Sequence, residues 1–161
     1  MEPARSHIAA LGAVLLLSSS PARAQRVAKL RPEVRVDAIA ARSPTIQAGV
    51  GLAQPFGTYT RMVATMAAGI ATHDGKLTTA VRTDLTTRFV LDPFWESRWA
   101  LYGAGGISVM YDAPDGWRAV FVAAIGLEGP KAGTMTPAFE LGLGGGVRAG
   151  FSMRRARGDL R

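Results

Sequence analysis

The chain has 161 residues, a formal net charge of +7 and no cysteine. That is room for one domain, and it excludes a disulfide framework and a thiolate metal site. The charge is carried almost wholly by arginine, the only lysines being Lys29, Lys76 and Lys131, and no basic cluster interleaved with aromatics marks a nucleic-acid surface.

Arg5 and His7 give a polar start, Ile8–Leu17 is apolar apart from small residues, and Ser18–Ser20 leads to Ala22-Arg23-Ala24 before Gln25. This is the layout of a cleaved secretory signal peptide, residues 1–24, whose apolar core is well short of the ~20 residues that span a bilayer as a helix. The mature chain is expected to begin near Gln25, outside the cytoplasm. An outer-membrane lipid or lipopolysaccharide surface is then a more natural partner for its basic charge than nucleic acid.

Residues 25–33 read as a basic, proline-containing lead-in, and Val34–Arg42 as a short possible strand. From Thr45 the chain alternates. Ile46, Ala48, Val50 and Leu52 share one phase up to a Pro55-Phe56-Gly57 turn, and Met62, Ala64, Met66, Ala68 and Ile70 follow within Thr58–Thr72. Asp74-Gly75, set between alternating segments, is a hairpin turn. Leu77–Leu91 keeps Leu, Thr, Val or Phe at every odd position, and Trp99–Tyr111 keeps Trp, Leu, Gly, Gly, Ile, Val and Tyr. After the Asp112–Gly116 turn, Trp117–Leu127 and then Phe139–Met153 alternate again. Period two without an amphipathic helix after the leader predicts an all-β, antiparallel up-and-down meander over residues 34–154, with a basic tail at 155–161.

The apolar phase of these strands carries no charge. The other phase carries Arg61, Arg82, Asp84, Arg88, Arg98, Arg118, Glu128, Glu140, Arg148 and Arg154, among small residues such as Ala67, Gly69, Ala104, Gly106, Ala124 and Gly126. So many small residues fit a narrow packed interior better than a water-facing surface. Aromatics add spacing. Trp99 and Tyr111 stand twelve positions apart in one phase, as do Phe139 and Phe151. Twelve strand steps at a barrel tilt rise roughly 30 Å, near the height of an apolar band with its girdles. On that spacing Phe89, Trp99 and Phe139 form one girdle, and Tyr111, Trp117 and Phe151 the other.

In these features the chain resembles the small outer-membrane β-barrel superfamily, over Thr45–Arg154 and by pattern rather than by a sharp motif. It departs in its basic tail after Phe151, its short loops and its count of six clear strands plus one possible strand, where closure needs about eight. The resemblance implies a transmembrane barrel of about eight strands in a bacterial outer membrane, with a structural or surface-interaction role and a lumen plugged by Arg82, Arg88, Arg118 and Arg148 paired with Asp84, Glu128 and Glu140. With the chain ending at the Tyr111 level, that end is expected to be periplasmic and the Asp92–Ser97 turn extracellular. The alternative is a soluble periplasmic, lipocalin-like barrel whose apolar phase encloses a ligand.

Chemistry is sparse. His73 is the only histidine after the leader, and a Ser–His–acid set would need it to meet Ser108 and Glu128 or Glu140. The expectation is a non-enzyme without metal or cofactor. Gly144-Gly145-Gly146 lacks the lysine and strand–loop–helix setting of a phosphate loop, and reads as close backbone packing.

Overall fold

Alternation becomes strand wherever the sequence keeps it, and turns fall where glycine or aspartate allows reversal. The computed structural model describes residues 30–93, 98–113 and 115–156; the leader lies outside the described residues. Eight strands follow in chain order: β1 (Arg31–Ala40), β2 (Thr45–Phe56), β3 (Thr60–His73), β4 (Lys76–Val90), β5 (Ala100–Asp112), β6 (Gly116–Glu128), β7 (Met135–Leu143) and β8 (Val147–Arg155). Each pairs antiparallel with the next, and β8 pairs with β1, so the sheet closes as an eight-stranded up-and-down barrel. No sheet edge is left open, which removes the unpaired backbone groups that an edge exposes.

Turn chemistry accounts for the tightest reversal. Between β3 and β4, Asp74 and Gly75 both take positive φ, 47° and 74°, as a two-residue hairpin turn requires. The β1–β2, β3–β4, β5–β6 and β7–β8 turns lie at one end of the barrel, named here the Tyr111 end. The start of β1, the end of β8 and residues 57–59, 91–93, 98–99 and 129–134 lie at the other, the Trp99 end.

Five sequence expectations are corrected. Phe139–Met153 is two strands, turned at Gly144–Gly146, where Gly145 and Gly146 have φ of 74° and 153°. Leu143 pairs with Val147 across that turn. Because the inserted residues keep the parity of the alternation, the sequence pattern runs through the reversal unbroken. Phe151 therefore lies beside Phe139 as its cross-strand partner and belongs to the Trp99 end. The strands also begin and end at the Trp99 end, with Glu33 opposite Arg154, rather than ending at the Tyr111 level. Lastly, Arg31–Glu33 belong to β1 rather than to a lead-in, and Pro55 and Phe56 lie within β2 ahead of its turn.

The two faces are sharply unlike. Outward positions include Val34, Ile46, Val50, Met66, Ile70, Leu85, Ile107, Phe121, Ile125 and Leu141, all exposed, with Phe121 at 86%. Inward positions include Arg35, Asp37, Arg82, Asp84, Arg88 and Arg148, all buried. The barrel is inside-out relative to a water-soluble core, with its charge enclosed and its apolar side chains on the surface.

Candidate functional site

Inward alternation on β1, β4, β7 and β8 brings four arginines, Arg35, Arg82, Arg88 and Arg148, against four carboxylates, Glu33, Asp37, Asp84 and Glu140. Asp37 is the hub. Arg35 grips it with a fork at 2.8 and 2.7 Å, Arg82 donates to it from across the lumen, and Arg148 Nε lies 3.4 Å away. Asp84 accepts from Arg148 at 2.9 Å and from the Ser108 hydroxyl at 2.6 Å, with Arg82 Nε 3.1 Å away. Arg88 forks onto Glu33 at 2.7 and 2.9 Å and lies over the Tyr102 ring, 5.4 Å from its centroid. Tyr102 donates to Glu140 at 3.2 Å, and Arg35 donates to the same carboxylate at 3.3 Å. Four cations meet four anions, so this network is internally neutral, and planar forks hold it in a fixed geometry.

The mouths differ from this core. At the Trp99 end, Glu128 bridges Arg61 and Arg154. A cleft of about 40 Å³ opens there, lined also by Arg31, Asp92, Arg98 and Lys131. At the Tyr111 end, Arg118 pairs with Asp112 at 2.8 Å and Asp115 at 3.0 Å. Nearby, His73 Nδ1 lies 2.9 Å from the Ser43 hydroxyl, linking two neighbouring turns.

Each residue singled out from sequence can now be placed. Arg61, Arg82, Asp84, Arg88, Glu128, Glu140 and Arg148 line the lumen in ion pairs. Arg118 does not reach Glu128 or Glu140; it is held at the opposite mouth by two aspartates of its own turn. Phe89, Trp99, Phe139 and Phe151 face outward at the Trp99 end, where Trp99–Phe139 and Phe139–Phe151 centroids lie 6.2 and 4.9 Å apart. Tyr59 joins them, stacked on Phe89. Tyr111 and Trp117 pair at the other end, 5.1 Å apart. Ser108 binds Asp84 whereas His73 binds Ser43, so the Ser108–His73 set is not brought together. Among the described residues no group of three or more His, Asp or Glu side chains is placed to hold a metal.

Sequence reading missed Glu33, Arg35 and Asp37: Glu33 fell in the lead-in, and Arg35 and Asp37 in a segment read only as a possible strand. The signal was present: the three charges alternate with Val34, Val36 and Ala38, as Arg82 and Asp84 alternate with Val81, Thr83 and Leu85 on β4. No family model and no curated protein matches the chain. What the fold and site define is a class, a closed eight-stranded barrel with an ion-paired interior and an apolar exterior.

Proposed function

We propose that this barrel spans the outer membrane of a bacterium, and that it serves a structural or surface-interaction role there with its lumen closed to ions. One observation carries the reading. The exposed outward positions of the wall are mostly apolar around the barrel, from Val34 on β1 to Phe151 on β8, with Thr79, Thr83 and Thr87 on β4 as uncharged interruptions, whereas monomers in water rarely expose contiguous apolar patches beyond a few hundred Å². Aromatic residues gather outward at both ends of this belt, as at the two interfaces of a bilayer. A lumen of this strand number is just wide enough to be filled by side chains, and here it is filled by charge pairs. The same charged interior speaks against the alternative, since an apolar ligand would have to displace desolvated guanidinium–carboxylate forks.

Fractionation and conductance test the proposal together. The mature chain is expected to sediment with outer membranes, resist alkaline extraction and need detergent to remain monodisperse. Planar-bilayer recordings should show no steady channel. Recovery as a soluble periplasmic monomer without detergent would sink the membrane reading, and a stable conductance would sink the closed lumen.

A further inference from the structure

We draw no further inference here: the strongest candidate, the open slot on the outer wall over Gly103, Gly105 and Ala123 between Phe89 on β4 and Leu141 on β7, is an unpartnered apolar face, and nothing in the structure shows what covers it.

Discussion

The centre of the lumen and its Trp99 mouth use the same two chemistries, guanidinium and carboxylate, in different proportion. In the centre each of the four arginines finds at least one carboxylate of the four, and all of the set but the half-buried Glu140 is buried. At the mouth one glutamate serves two arginines while further cations line the same cleft. Low dielectric makes the first arrangement rigid and intolerant of any missing partner. Closer to solvent, the second is screened and tolerates change at more modest cost. A closed core and a partly solvated mouth are thus built on the same strands, set by how deep each inward position sits.

The comparison breaks most readily at its hub. Asp37→Ala strips a shared acceptor from Arg35, Arg82 and Arg148, and should cost about 3–5 kcal/mol of unfolding free energy, measured by urea titration in micelles. A loss below about 1 kcal/mol would mean the network is wet and loosely held. The Glu33–Arg88 fork sharpens the point. Glu33→Leu and Arg88→Met should each be strongly destabilising alone, yet the double variant should recover by at least about 2 kcal/mol relative to their sum. Strict additivity would contradict a buried pair.

The two ends differ as well. At the tight Tyr111 end, Gly146 has φ of 153° and an added Cβ would lie 2.5 Å from the Ala40 carbonyl oxygen. Gly146→Ala should cost about 1–3 kcal/mol. Gly133, in the longer segment at the Trp99 end, has positive φ too but open space around it, so Gly133→Ala should cost less. Equal losses would remove the distinction between the ends. The smallest effect is expected of Arg118→Gln. Its guanidinium is about a third exposed, so its pairs with Asp112 and Asp115 are partly screened and the change should stay near ~1 kcal/mol.

Much of this was legible in the sequence, because a barrel writes its two faces into odd and even positions. The charge-bearing phase of Leu77–Leu91 maps directly onto the buried Arg82, Asp84 and Arg88. The strand count was harder. Gly144–Gly146 reverses the chain without disturbing parity, and alternation alone cannot distinguish a turn of that length from continued strand. That single turn also moved Phe151 across the barrel. Partner choice was less legible still. Arg118 shares a phase with Glu128 but sits at the far end of the same strand, beside Asp112 across the β5–β6 pair. Pairing in a lumen depends on depth and on strands meeting across the barrel, as with Arg82 and Asp37, and neither is written in any local window.

The central claim is that the wall faces lipid while charge stays inside. Phe121 lies in the middle of β6 and is the most exposed large apolar side chain among the described residues, at 86%. A variant with Phe121→Trp as its sole tryptophan, reconstituted in vesicles, reports on that position by fluorescence. Strong quenching by brominated acyl chains and none by aqueous iodide is the predicted result. Quenching by iodide with no response to brominated lipid would contradict the account.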